Sequence, residues 1–440
     1  MYSFVLALIL FATTVCAEQT MTLEQCLKTG MANNPSLQAS RFMVDSAGSD
    51  IKMARADFLP SLSSSYSASS IFATDASGPT DADYLDQDIH AFNVKLTQIL
   101  YAGSRIVNTY EKAKILAQVS EAQMQLARFE LAYNIETTFY KLMKAREDIL
   151  SATESVTRLT ESVKSAEAFL QKELVPYVDV LKAKVDLADA QDLLGLAKNN
   201  ENRQREALFA LMDLPMDPSV RFLNDDQHIL REQPSFAASF QYAIDHRPDL
   251  QSLDFQVIAA NKQQAIAVGK YLPVATVDIG YYNRENDYAN EQRTSFGSTD
   301  IDQTNKYMMA GVTLSWTMFD GGRAYYEREK YTLEARKIKA LIQDTRNMLS
   351  TGIRKALYSM AEARQRLESA ADALLAAEEN YTSEEKRLNA GISTIQAVLD
   401  AQGRLIRAQG NKSNAALDYQ LAKSELKLMT GGEKLQDNFN

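Results

Sequence analysis

The chain is poor in the residues that build catalytic centres or covalent staples. Its 440 residues include 2 cysteines and 3 histidines. His90, His228 and His246 are scattered, and none stands at a metal-ligand spacing from a cysteine or a carboxylate pair. Met308-Met309 reads as packing on a sheet face rather than as a soft-metal site. "DGGR" (Asp320 to Arg323) is too short for a phosphate loop and lacks the Lys-Ser/Thr that follows in one. No enzyme chemistry, metal or cofactor is expected. Positive charge is also short, with 47 Lys+Arg against 57 Asp+Glu and a net charge of −10. A nucleic-acid partner normally needs a basic face, so that class is excluded.

Long apolar runs are missing too. After the first residues, no run reaches the roughly 18 apolar residues of a membrane helix. Secreted and periplasmic proteins remain, as does a β-barrel, whose strands escape hydropathy scans. The start differs: "FVLALILFATTV" followed by Val15-Cys16-Ala17 has the form of a secretory leader, although Met1-Tyr2-Ser3 carries no basic residue. Cleavage after Ala17 is expected. Lipidation of Cys16 is disfavoured by Val15 before it. Cys26 then stands alone, which rules out an internal disulfide.

What is present is a long duplication. "LTQILYAGSR" (Leu96 to Arg105) returns 218 positions later as "LSWTMFDGGR" (Leu314 to Arg323). "ARADFLP" (Ala54 to Pro60) and "NNPSL" (Asn33 to Leu37) match "AVGKYLP" (Ala267 to Pro273) and "HRPDL" (His246 to Leu250), each 213 positions on. "YVDVLKAKVDLADA" from Tyr177 aligns with "IQAVLDAQGRLIRA" from Ile395, again at 218. The expected division is a leader over 1–17, a first repeat over 18–213, a connector over 214–235, a second repeat over 236–431 and a tail over 432–440.

Each copy starts with a helical pattern, Thr22 to Phe58 or Phe236 to Leu272, stopped by Pro60 or Pro273. Two runs of period-two alternation follow. Leu62, Tyr66, Ala68 and Phe72 alternate with serines, and Phe92, Val94 and Leu96 with polar residues. In the second copy Ala275, Val277, Ile279 and Tyr281 form one face. In the matching run Ala310, Val312, Leu314, Trp316 and Met318 share one face. Runs of about ten such residues cross a bilayer as tilted strands. Polar stretches Thr74 to His90 and Asn283 to Lys306 would be the outer loops. Phe58, Tyr101, Tyr271 and Phe319 flank the strands where interfacial aromatics belong.

A proline-free segment comes next, Ser104 to Val175 or Arg323 to Ala390. Ile353, Met360, Leu367, Leu374, Tyr381 and Leu388 are spaced by sevens, and so are Ile135, Leu142, Ile149, Val156, Val163 and Leu170. Ala356, Ala363, Ala370 and Ala377 follow three residues behind, giving a heptad seam with small residues on one side. Ala183, Ala190 and Ala197, with Ala401, Ala408 and Ala415, do the same for return helices. Turns separate rod from return. Gly391 suits a helix C-cap, Ser393 and Gln396 have capping-box spacing, and Pro176 suits a first helical turn. Gly103, Gly321 and Gly322 would bend the chain from strand to rod. Four strands cannot close a membrane barrel, so several copies must pair their edges.

The order of elements, "FDGGR", the "LP" corners and "GISTIQAVLDAQ" together resemble the TolC family of outer-membrane efflux and secretion channels, over Thr22 to Gly431. The resemblance implies a mainly α fold with membrane β. Its homotrimer has a twelve-stranded outer-membrane β-barrel, four strands per chain, continuous with a long periplasmic α-helical coiled-coil barrel. It implies the exit duct of a tripartite efflux pump or type I secretion system. Its partners would be a periplasmic adaptor (membrane fusion) protein, an inner-membrane transporter and outer-membrane lipid. Asp179 and Asp400 match acidic positions at the periplasmic entrance, although Ala397 and Lys182 depart from the pattern and Ser393 replaces an Arg found in some members. Both aspartates also suit first helical turns, where a carboxylate favours the dipole. The tips, Lys172 and Glu173 with Leu388, Asn389, Gly391 and Ser393, would meet the adaptor. The competing class is a periplasmic coiled-coil adaptor or scaffold without a barrel, against which the two strand pairs argue.

Overall fold

The computed structural model describes residues 20–71, 87–173, 176–217, 219–224, 234–288, 292–294, 297–299, 303–390, 392–393 and 395–431. The expected leader, the tail over 432–440, Phe72 and most of the stretch from Thr74 to His90 lie outside the described residues.

A short strand β1 (Thr20–Thr22) leads into α1 (Leu23–Asn33) and α2 (Pro35–Ala56). Strands β2 (Ser61–Ile71) and β3 (Gln87–Tyr101) follow, then α3 (Arg105–Gln171) and α4 (Tyr177–Met212). After β4 (Arg221–Leu223) come α5 (Phe236–His246), α6 (Pro248–Gly269) and β5 (Val274–Tyr288). A small hairpin, β6 (Gln292–Thr294) and β7 (Gly297–Thr299), precedes β8 (Gln303–Ser315), α7 (Arg323–Asn389) and α8 (Ile395–Thr430). Helix lengths recur as 11, 22, 67 and 36 residues in both series. At 1.5 Å per residue the longest span about 100 Å.

Three expectations are corrected. The opening helix of each copy is a pair, broken before Pro35 and Pro248. Proline forces the preceding residue out of the helical region. Asn34 has φ −55°, ψ 123° and Arg247 φ −74°, ψ 124°. Both residues then stitch the break to the end of a return helix. Asn34 Nδ2 donates to the Leu211 carbonyl at 2.9 Å, and Arg247 Nη1 to those of Leu428 at 2.8 Å and Met429 at 3.0 Å. Second, β5 and β8 extend into the expected loop from Asn283 to Lys306, because their backbones continue to pair as far as Asn286 and Gln303. Third, the rods end at Gln171 and Asn389, and Ser104 lies outside α3 with φ 61°.

The described residues form two compact units. One comprises the described parts of Met1–Ser40, Met124–Pro248 and Arg346–Asn440. Its larger core joins Cys26, Leu37, Ile135, Phe139, Leu142, Leu208, Met212 and Phe222. A second gathers Ala243, Ile353, Ala356, Met360, Tyr419 and Leu426. None of the twelve heptad residues is exposed. Ile135, Leu142, Ile353 and Met360 are fully buried, and burial thins toward the tips at Leu170 and Leu388. The Cys26 thiol is free, and burial pushes it up to about 12. The connector is anchored here, since β4 pairs in parallel with β1. Arg146 Nη1 donates to the Phe222 carbonyl at 2.8 Å and Arg205 Nη1 to that of Val220 at 3.3 Å. Both guanidinium groups also reach the Glu201 carboxylate, at 3.5 and 2.7 Å.

The other unit comprises the described parts of Arg41–Gln123 and Asp249–Thr345. It holds the four-stranded sheet, ordered β2-β3-β5-β8 and antiparallel throughout. Its helices pack through Ala260, Ala335 and Ile338 and are pinned by polar pairs: Lys262 with Glu111, Lys112 Nζ to Gln263 Oε1 at 2.6 Å, and Lys270 Nζ to Glu327 Oε2 at 2.7 Å. No helix among the described residues is long and apolar enough to cross a membrane.

Candidate functional site: sheet faces, junctions and hairpin tips

Alternation along the strands sorts the sheet into two faces. Leu62, Tyr66, Leu96, Ile279, Val312 and Leu314 share one, and all are exposed in the single chain. The opposite face carries Ser63, Ser65, Ser67, Lys95, Thr97 and Asp278. There Asp278 accepts from Lys95 Nζ at 2.9 Å and from Thr97 Oγ1 at 2.7 Å. An apolar face open to the surroundings and a paired polar face suit lipid outside and water inside. The sheet ends on β2 and β8, each paired with a strand on one side only among the described residues.

At each junction the strand turns into the rod through left-handed residues. In the first, Gly103 has φ 62° and Ser104 φ 61°, and Arg105 closes the turn with its N–H on the Ala102 carbonyl at 3.1 Å and its Nε there at 3.0 Å. A Cβ on Gly103 would lie 2.3 Å from the Gly269 carbonyl oxygen, so only glycine fits. In the second, Gly321 has φ 70° and Gly322 φ 84°. Asp320 caps α7, accepting from Gly322 N–H at 3.0 Å and Ala324 N–H at 2.9 Å.

The aromatics expected at the interface cluster at this end of the sheet. Phe58 packs edge-on against Tyr110, with centroids 5.8 Å apart. The Tyr271 carbonyl accepts from Trp316 Nε1 at 2.9 Å. Tyr101, at the end of β3, is exposed, and Phe319 is 85% exposed. Trp316, Met318 and Phe319 lie beyond the end of β8 at Ser315, a correction to the expected strand.

At the far ends of the rods, Lys172 and Glu173 form an exposed turn, with Glu173 at φ 59°. Pro176 sits at the N-cap of α4, one position before the expected first turn. Asp179 lies in that first turn and pairs with Lys182 at 3.4 Å. In the second hairpin Leu388 is half-buried, and Asn389 is exposed. Gly391 lies outside the described residues. The Ile392 N–H reaches the Arg387 carbonyl at 2.9 Å, the long bond of a Schellman-type closure. Ser393 Oγ donates to Glu384 Oε2 at 2.6 Å, a carboxylate on the rod, and the expected capping box with Gln396 lies outside the described residues. Asp400 is exposed and lies in the second turn of α8, not the first, so its expected dipole role is weakened.

Comparison with known proteins agrees with this geometry. The family described as outer membrane efflux protein matches residues 27–213 and 240–432. The chain belongs to that family. It is 22% identical over 414 residues to the outer membrane protein TolC of Vibrio cholerae, covering 92% of this chain and 89% of that one. It is also 22% identical to the pyoverdine export outer membrane protein OpmQ of Pseudomonas aeruginosa, covering 91% and 82%. Among solved structures, the outer-membrane channel OprN superposes with a TM-score of 0.73 at 18% identity, covering 93% of this chain and 90% of that one. The fold is therefore that of a TolC-like outer-membrane channel, with its helical part in the periplasm. The chain is an outer-membrane efflux channel, and the barrel-free adaptor reading is set aside.

For a member of this family, sequence reasoning missed the polar pairs that hold the staves. The Asp320 cap had a visible signal, an acid directly before a Gly-Gly turn and three residues before a helix start. In the Glu201 cluster only Glu201–Arg205 had one, the i,i+4 spacing of a helical ion pair; the Arg146–Glu201 and Glu384–Ser393 contacts had none, because each joins residues without sequence periodicity.

Proposed function

We propose that three copies form the exit duct of a tripartite efflux pump or type I secretion system, closing a twelve-stranded barrel in outer-membrane lipid. The duct would receive cargo from an inner-membrane transporter through a periplasmic adaptor. It would act as a passage, without catalysis or cofactor. The observation that carries this reading is the pair of junctions at Gly103 and Gly321, each joining a membrane-length strand to a 67-residue helix. The two halves, 18–213 and 236–431, would each supply one stave, with 214–235 linking them and 432–440 trailing behind.

Asp400, with Asp179, would ring the periplasmic entrance. Repeated around a threefold axis, such carboxylates favour cations. Lys182 beside Asp179 offsets part of its charge. Single-channel recordings of Asp400→Ala and Asp179→Ala would test this, with reduced cation selectivity and block expected from each. Unchanged selectivity in both would remove the gate. For docking, the tips at Lys172, Glu173, Leu388, Asn389, Gly391 and Ser393 would meet the adaptor. Substitution at Leu388 or Gly391 is expected to abolish adaptor crosslinking with folding intact, and intact crosslinking would overturn that assignment.

A further inference from the structure

The polar face of the four-stranded sheet is uneven. The register sorts its side chains into rows across the strands. One row is Ser63, Lys95, Gly280 and Met309. The next is Ser65, Asn93, Tyr282 and Tyr307, and the one after it is Ser67, Ala91, Arg284 and Asn305. From Ser61 to Ser69, β2 gives this face hydroxyls alone. β5 and β8 instead bring two tyrosine rings, a thioether and a guanidinium to one place.

We propose that Tyr282, Tyr307 and Arg284 form a binding shelf for planar aromatic anions, such as aromatic carboxylates and sulfonates, on the wall of the passage. The ring of the ligand lies on Tyr307, and its acid group reaches the Arg284 guanidinium. The shelf rests on the channel reading above, which makes this face the inner one.

Three observations carry it. First, the two rings are stacked, with centroids 5.2 Å apart and planes at 15°. Gly280 makes room for Tyr282, since a Cβ there would lie 2.7 Å from the Tyr282 ring. Packing on a glycine thus accounts for Tyr282. It does not account for Tyr307, which stays 52% exposed beside a half-exposed Met309. Apolar surface with a few convergent polar groups is the usual make-up of a small-molecule site. Second, the charges on this face do not cancel. Lys95 and Asp278 pair at 2.9 Å. Among the described strand residues of the face, that leaves Arg284 as the unbalanced charge. Arg284 is exposed, and its Nε donates to Asn286 Oδ1 at 3.0 Å, which steadies the guanidinium. A guanidinium fork matches a carboxylate or sulfonate. Third, the spacing fits. Arg284 pairs with Asn305 and so stands diagonal to Tyr307, a separation of about 7–8 Å that long side chains span. A ligand stacked on Tyr307 with an acid group at its edge bridges the two. On the other half of the sheet Asn93 Nδ2 is spent on Ser65 Oγ at 2.8 Å, and the serines offer no ring to stack on.

Block of single-channel current by 2-naphthoate, in the purified full-length oligomer, tests the shelf. Cyclohexanecarboxylate, an anion without an aromatic ring, and 2-naphthylmethanol, an aromatic ring without charge, are the comparison compounds. In the unmodified protein 2-naphthoate is expected to block at about tenfold lower concentration than either. Its half-blocking concentration should rise about tenfold in Tyr307→Ser and in Arg284→Gln, and stay unchanged in Tyr307→Phe, which keeps the ring. Arg284→Gln leaves both rings in place and decides the question if Tyr307→Ser does not assemble. Equal block by the three compounds, or 2-naphthoate block unchanged in Arg284→Gln or Tyr307→Ser, would overturn the shelf and leave the channel reading standing. An unmodified oligomer that passes no current would overturn the channel reading itself.

Discussion

The two strand-to-helix junctions are written alike and held differently. Ala102-Gly103-Ser104-Arg105 is packed from within the chain: Ala102 is buried, the Gly103 backbone touches that of Gly269, and Arg105 returns to the Ala102 carbonyl. Asp320-Gly321-Gly322-Arg323 has no such neighbour. A Cβ on Gly321 would meet nothing within 4 Å in the single chain, and the turn is closed by its own Asp320. The first junction borrows its rigidity from the second half of the same chain. The second supplies its own cap and leaves its outer side for another copy.

The sharpest break of this comparison is Gly103→Ala against Gly321→Ala. Both residues are left-handed, at about 1–2 kcal/mol for an L side chain. Only Gly103 adds overpacking, which costs about 1–3 kcal/mol. Urea unfolding of the detergent-solubilised protein should show a loss of about 3 kcal/mol for Gly103→Ala and about half of that for Gly321→Ala. Equal losses would erase the distinction. Next comes exchange of the cap. Asp320→Ala should cost about 1 kcal/mol in the same assay. Ala102→Asp should not gain the converse, because the site is buried and an unpaired carboxylate there is costly. The smallest effect separates the arginines. Arg105→Ala loses a side-chain hydrogen bond worth about 1 kcal/mol. Arg323 is exposed, and its replacement should stay within about 0.5 kcal/mol.

Much of the architecture was legible because it is written twice. The offsets of 213 and 218 place every helix start of the second half from the first, and the heptad residues from Ile135 and Ile353 are the ones that lose their solvent. What escaped follows from pairing rather than pattern. The breaks at Asn34 and Arg247 were masked by apolar periodicity that continues across each proline. β5 and β8 run on past Asn283 and Lys306 because backbone pairing needs no apolar residue. β8 ends early at Ser315 although its alternation continues to Met318, since a strand needs a neighbour on at least one side and β5 stops opposite Ser315 at Val274. The entrance aspartates were found by resemblance. In the chain they differ, Asp179 paired with Lys182 in a first turn and Asp400 exposed in a second.

The central claim is that the paired strands of several copies close around a water-filled passage continuous with the helices. Single-channel recording of the purified, heat-resistant oligomer in planar bilayers tests it most directly. The account predicts discrete, long-lived conductance steps that appear with the trimer fraction alone. A trimer that inserts into the bilayer and passes no current under any voltage or pH, with Asp179 and Asp400 both replaced by alanine to remove the entrance ring, would contradict it.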